Sequence, residues 1–314
     1  VTAARKWLTA GQFVLALAVL LALGRLVSAE FLSAANIRNL LNQTSIVGVL
    51  ALAQFMVVLI GGFDLSVAAI LALGSVVVAS LASHHHTWLA VTAALASGAA
   101  LGTLSGVAAT LGRVPPLIAT LGVASIARGL AFLVAPKSVP APHGLVASLQ
   151  FTAGVFTTTT VVWLLLSVLL AWVLGRTRLG RHVYAIGGNE RSARLAGIRV
   201  VAVKVGVYAL AGTLSALAGV LFVIRSWSGM PHVGSGWELE SIAGIVIGGT
   251  RLFGGEGHVL NAMLGMLIYQ IVGNLMNLVS LDPYYQDIVK ATVIVAVVGT
   301  SVLLAHRRGL RLWS

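Results

Sequence analysis

The sequence predicts an all-α polytopic membrane protein with about ten transmembrane helices and both termini cytoplasmic. Three observations predict it. The 314 residues are 58% hydrophobic and 9% charged, with a mean hydropathy of +1.00. A soluble domain carries about 25% charged residues. The apolar residues come in runs close to the roughly 20 residues that a helix needs to cross the hydrocarbon core. Lys and Arg collect in alternate polar breaks, as cytoplasmic loops do.

Ten runs qualify, near 7–27, 43–60, 65–83, 88–110, 116–135, 156–175, 203–225, 239–250, 259–280 and 286–305. The first follows Arg5-Lys6 and resembles a signal peptide. It is long enough to span, and no small-residue cleavage site ends it, so it is expected to stay in place. The eighth is short and is expected to be tilted, broken or only part-way through. With the N-terminus inside, the inner segments hold Arg5, Lys6, Arg113, Arg176, Arg178, Arg181, Arg191, Arg194, Arg199, Lys204, Arg251, Arg307, Arg308 and Arg311, which is 14 of the 20 cations. Both termini inside requires an even number of spans.

The net charge of +12 does not indicate nucleic acid, because the cations sit in short loops and form no continuous face. Anionic membrane lipid is the simpler partner. Without cysteine, disulfide and thiolate chemistry are excluded.

The outer segments carry few charges. His84-His85-His86 is read as a solvated turn, since three adjacent His cannot all face one ion and no carboxylate is near. The segments 136–156, with Pro136, Pro140 and Pro142, and 226–238 are expected as long outer loops, the first helix-averse. Gly98, Gly102 and Gly106 recur every four residues and let another helix approach closely; Gly244 and Gly248 repeat the spacing.

Two glycine-rich breaks lie on the inner side. Gly61-Gly62-Phe63-Asp64-Leu65-Ser66 separates spans two and three, and 248–257, opening on Gly248-Gly249, separates spans eight and nine. Asp64 with Ser66 looks like a helix start, where an acid is favoured. Glycine supplies the backbone freedom of a hinge, so Gly61, Gly62, Asp64, Ser66, Gly248 and Gly249 are candidates for gating or the pathway. Of the cations within spans, Arg128 and Arg225 are expected to snorkel to the outer surface, and Lys290 to pair with Asp287 one turn earlier.

No stretch ends in the Lys-Ser/Thr that grips phosphate, so the chain carries no ATPase site. It lacks the several buried acids or His of a proton relay, which weakens the alternative of a gradient-driven secondary carrier. With no Cys and no paired His or carboxylates on one helical face, an enzyme is not expected, nor is a metal site. Energy is therefore expected from a partner, received through the cationic loop 176–204. There Gly187-Gly188 breaks the chain, Asn189 caps a short helix and Glu190 suits its positive end. Ala193 and Leu195 offer contacts, Arg191 and Arg194 can pair with acids on a partner, and Gly197 can end the helix in a left-handed conformation.

Six blocks carry a resemblance: GGFDLSVAAILAL (61–73), PPLIATLG (115–122) with Ala127-Arg128-Gly129, GRHVYAIGGNERSARLAGI (180–198), LAGVLF (217–222), GSGWELESIAGIVIGGTRLFGG (234–255) and YYQDIVKATVIV (284–295). In this order they resemble the permease subunit of carbohydrate-importing ABC transporters of the ribose/xylose/autoinducer-2 type. The resemblance implies one permease domain over 1–314 in a bacterial cytoplasmic (inner) membrane, importing a monosaccharide or similar small polar solute. It implies a second permease subunit, identical or related. It implies a cytoplasmic ATP-binding subunit, often with two ATPase halves, that holds the ATP and Mg, so that this chain needs no cofactor. It implies a periplasmic or extracellular sugar-binding protein. The coupling helix that docks on the ATPase would lie near 189–197.

Overall fold

The computed structural model describes residues 3–83 and 86–307, and is 76% helical. The helices are α1 (Ala3–Val27), α2 (Ala34–Leu59), α3 (Val67–Ala82), α4 (Thr87–Thr110), α5 (Pro116–Val134), α6 (His143–Leu149), α7 (Thr158–Arg176), α8 (Arg178–Gly188), α9 (Glu190–Leu195), α10 (Val200–Ser226), α11 (Trp237–Ile247), α12 (Val259–Leu278) and α13 (Pro283–Arg307). Four two-residue strands occur among the described residues: β1 (Val139–Pro140), β2 (Thr152–Ala153), β3 (Phe156–Thr157) and β4 (Ser228–Gly229). Each expected span falls on a helix. Among the described residues, six helices are long and apolar enough to cross a membrane, and Leu15–Val27 and Val67–Ala82 are shorter apolar helices.

The core is built around α2 and α10. Every α2 residue from 44 to 59 is buried, and α10 packs against α2, α3 and α4. A central helix must be apolar all round, and both are. By contrast α5 and α7 leave most of their apolar surface uncovered, as lipid-facing or subunit-facing helices do. The glycine stripe of α4 faces α10. A Cβ on Gly98 would lie 2.3 Å from the Gly212 carbonyl oxygen, and one on Gly102 would lie 2.2 Å from that of Tyr208. Packing accounts for the stripe. Likewise Gly244 and Gly248 face Met266 and Asn261 of α12.

The eighth span is broken. After α10 the chain runs antiparallel to α3, with Gly229 against Ser75 and Ala79 and Gly234 beside Ala68. That covers about 16 Å at 1.5 Å per residue. It then resumes as α11, whose far end reaches the start of α12. The expected outer loop over 226–238 is thus corrected: most of it descends into the bundle. Three features hold it there. The Met230 amide donates to Ser75 Oγ at 3.1 Å, β4 pairs with β1, and Arg128 Nη1 donates to the carbonyls of Pro231 (2.8 Å) and Val233 (3.0 Å). Irregular backbone at such depth survives only where protein groups satisfy it. Arg128 therefore does not snorkel; it supplies donors to carbonyls that no helix pairs.

Other expectations change as well. The 136–156 segment, expected to avoid helix, holds α6 and the β2–β3 hairpin, because Pro142 stands at the N-cap, where proline is harmless. Lys290 pairs not with Asp287 but with Glu240 of α11 at 2.9 Å, since the buried acid across the helix contact offers a less screened partner. Of the triple His, His84 and His85 lie outside the described residues, as do Arg308 and Arg311. Among the described residues, no group of three or more His, Asp or Glu is placed to hold a metal.

Candidate functional site

Three of the predicted glycines end helices by the same geometry. Gly61, Gly197 and Gly249 have φ of +75, +83 and +77° and follow the last turns of α2, α9 and α11. In each, two amides past the helix end return to its carbonyls. Gly61 and Gly62 donate to Val58 and Val57; Gly197 and Ile198 to Arg194 and Ala193; Gly249 and Thr250 to Val246 and Ile245. Glycine enters this left-handed conformation without the Cβ penalty.

These stops bring three segments to one point. The Gly255 amide donates to the Leu59 carbonyl of α2 at 3.0 Å. A Cβ on Gly187 would sit 1.8 Å from the Leu59 oxygen and 2.5 Å from the Gly255 nitrogen. One on Gly254 would lie 2.8 Å from the Gly61 nitrogen and 3.1 Å from the Gly187 oxygen. Tyr184 of α8 donates its hydroxyl to the Gly257 carbonyl at 2.8 Å. The two glycine breaks and the C-terminal end of α8 therefore form one junction, backbone against backbone. Gly188 is close by and has open space at its own Cβ position.

From the junction, α8 runs into α9 through Asn189, whose Oδ1 accepts from the Ser192 amide at 2.8 Å. Within α9, Ala193 is buried, while Leu195 is 83% exposed. Arg191 is also exposed. Arg194 already has an acid in its own chain: its Nη2 meets Glu190 Oε1 at 3.0 Å. The other Glu190 oxygen takes Lys204 Nζ at 2.5 Å, which ties α9 to the start of α10. The Lys204 hydrogen bond, aided by Arg194, holds the Glu190 carboxyl below the usual range. Between α8 and α10 lies a largely apolar cavity of about 620 Å³, with Leu179, Ile198, Val203 and Leu210 on its walls and Arg199 and His182 among its lining residues.

In the first break, Asp64 is fully buried. Its Oδ1 accepts from the Ser66 amide (2.8 Å) and Ser66 Oγ (2.5 Å), and Oδ2 is enclosed without a partner. Burial raises its carboxyl above the usual range. Beside it Tyr208 donates its hydroxyl to the Phe63 carbonyl at 3.3 Å. Sequence reasoning missed the junction's other members, Leu59, Tyr184, Gly254 and Gly255. Tyr184, Gly254 and Gly255 stand in quoted blocks, but nothing in a linear pattern says that 187 meets 59 and 255.

A bundle of apolar helices, one of them broken, with a short capped helix projecting from a cationic loop, defines a polytopic membrane permease. The chain belongs to the permease family described as "Branched-chain amino acid transport system / permease component", which matches residues 36–298. It is 40% identical to the ribose import permease protein RbsC of Escherichia coli K12 over 94% of both chains. It is 39% identical to that of Bacillus subtilis over 90% of both. It is 32% identical to the D-allose transport system permease protein AlsC of E. coli K12, over 95% of this chain and 93% of that one. No solved structure matches.

Proposed function

We propose that this chain is the membrane subunit of an ATP-driven importer of a monosaccharide or similar small polar solute. The relatives named for ribose and allose import support the cargo class. The observation that carries the mechanism is the glycine junction, which joins the C-terminal end of α8 directly to the C-terminal end of α2 and to the loop after α11. In this reading α9 docks on a cytoplasmic ATPase subunit, with Leu195 and Arg191 turned to it. Closure of that subunit moves α8 and α9, and the junction passes the movement to both breaks. Access to the path then switches from one side to the other.

The chain itself makes and breaks no covalent bond. ATP and Mg are held by the partner. The unit is a pair of permeases, identical or related, with an external sugar-binding protein and an ATPase of two halves. All of 1–314 acts as one permease domain, with about ten spans, both termini in the cytoplasm, and residence in the bacterial inner membrane. The cationic loop also lies against anionic lipid. A gradient-driven carrier is the rival class, but the described ionisable groups at depth are few: the Lys290–Glu240 pair, Arg128 on two carbonyls, and Asp64 on Ser66.

The test is uptake of ribose and allose by vesicles holding the full complex. Uptake should require ATP, survive collapse of proton and sodium gradients, and vanish when 189–195 is replaced by a Gly/Ser linker. Uptake by the lone permease driven by an ion gradient would refute the proposal. Normal ATP-driven uptake with the linker would refute the role of α9.

A further inference from the structure

Where the broken span resumes as α11, polar side chains from three helices meet inside the bundle. Glu240, one turn into α11, accepts from Lys290 Nζ of α13 at 2.9 Å. On α12, Tyr269 and Gln270 are each 4% exposed. The Tyr269 hydroxyl and the Gln270 amide nitrogen are enclosed and have no hydrogen-bond partner. Gly273, one turn further, borders both groups: a Cβ there would stand 3.9 Å from Lys290 Cε and 4.0 Å from Gln270 Oε1, in ordinary contact with each. Here α12 packs against both α11 and α13. Tyr269 and Gln270 lie in the middle of the 20-residue α12, away from either end.

Such a cluster is a poor way to pack a membrane helix. A charge at depth and an unpartnered buried donor are each unfavourable, and apolar side chains would serve better. Ionisable groups inside a membrane mark paths or sites by default, and breaks in spanning helices lie where transporters hold cargo. The chemistry has a clear complement. A carboxylate accepts from neighbouring hydroxyls, an ammonium and an amide N–H donate, and a phenol does both. A sugar hydroxyl, both donor and acceptor, satisfies all four.

We propose that Glu240, Lys290, Tyr269 and Gln270 form a hydroxyl-binding subsite for a monosaccharide in the translocation path. The ion pair, with Lys290 25% and Glu240 12% exposed, is the open edge of the cluster. Tyr269 and Gln270 form its floor, reached when α13 moves off α12. The inference rests on the importer reading above.

Tyr269→Phe and Gln270→Leu test it, because each removes a group that makes no hydrogen bond in the protein, so the fold is retained. The full complex in vesicles is given ribose and a panel of singly deoxygenated pentoses, and uptake by each variant is divided by wild-type uptake of the same sugar. That ratio cancels the preference of the external binding protein. Ribose uptake should fall about 3- to 10-fold, the worth of one hydrogen bond, and at least one deoxy sugar should be spared. Unchanged ribose uptake in both variants overturns the subsite, and so does an equal fall for every sugar, which marks a packing role. A wild-type complex that imports no sugar overturns the importer reading itself, and the subsite with it.

Discussion

At the scale of single residues, two adjacent glycines make opposite predictions. Gly187 has the Leu59 oxygen 1.8 Å from where a Cβ would go, whereas Gly188 has nothing within 4 Å. Gly187→Ala must push α8 away from α2, so it should lower the melting temperature and uncouple ATP hydrolysis from uptake. Gly188→Ala should behave as wild type in both assays. Equal behaviour of the two variants would mean that the junction does not set the position of α8. Glu190 predicts a pH response. Its carboxyl is held below the usual range, chiefly by Lys204, so the clasp contributes in full above the ordinary carboxylate pKa. It is lost only as pH falls through the lowered folded value. The protection of the α9 amides, taken relative to their intrinsic exchange rate at each pH, should therefore be flat from about pH 8 to 5 and fall only in more acid solution. Glu190→Gln should lower this protection at neutral pH, and a loss of protection already near pH 6 in the native chain would point to a different titrating group.

At the scale of elements, α9 is six residues long, too short to be stable by itself. It persists because Asn189 caps its start, Gly197 turns its end and Glu190 clasps α10. Gly197→Ala forces a side chain into the left-handed region and should destabilise the helix by about 1 kcal/mol, with Gly197→Asn milder. Faster exchange of the Ala193 to Ile198 amides would report the loss, and identical exchange in the Ala and Asn variants would argue against the turn as its cause. These caps were legible in the sequence, because a cap is a local pairing of side-chain oxygen or glycine with backbone only a few residues away. The break in the eighth span was half legible. Its short apolar run showed that a full helix was missing, but the descent of 227–236 along α3 depends on Arg128 and Ser75, roughly 100 and 150 residues earlier.

At the scale of the whole molecule, the positive-inside count predicts the orientation, and the absence of cysteine makes it measurable. A single cysteine at Arg191 should react with a membrane-impermeant maleimide only from the cytoplasmic face, and one at Lys137 only from the outer face. The reverse pattern would invert the molecule and remove α9 from any cytoplasmic ATPase. The uncovered apolar surface of α5 and α7 belongs to the same scale: it is the kind of face that lipid or another subunit covers.

By itself the sequence determined the membrane class, the helical runs, the orientation count, the two glycine breaks and the caps of α9. Each follows from composition, periodicity or neighbours along the chain. Only the tertiary structure decided that both breaks and α8 meet in one backbone junction, that Arg128 pins the descending segment, and that Lys290 belongs to Glu240. Helix packing brings these groups together from segments far apart in the chain. Hydropathy marks which residues leave water, but it carries no information on which of them touch once they have.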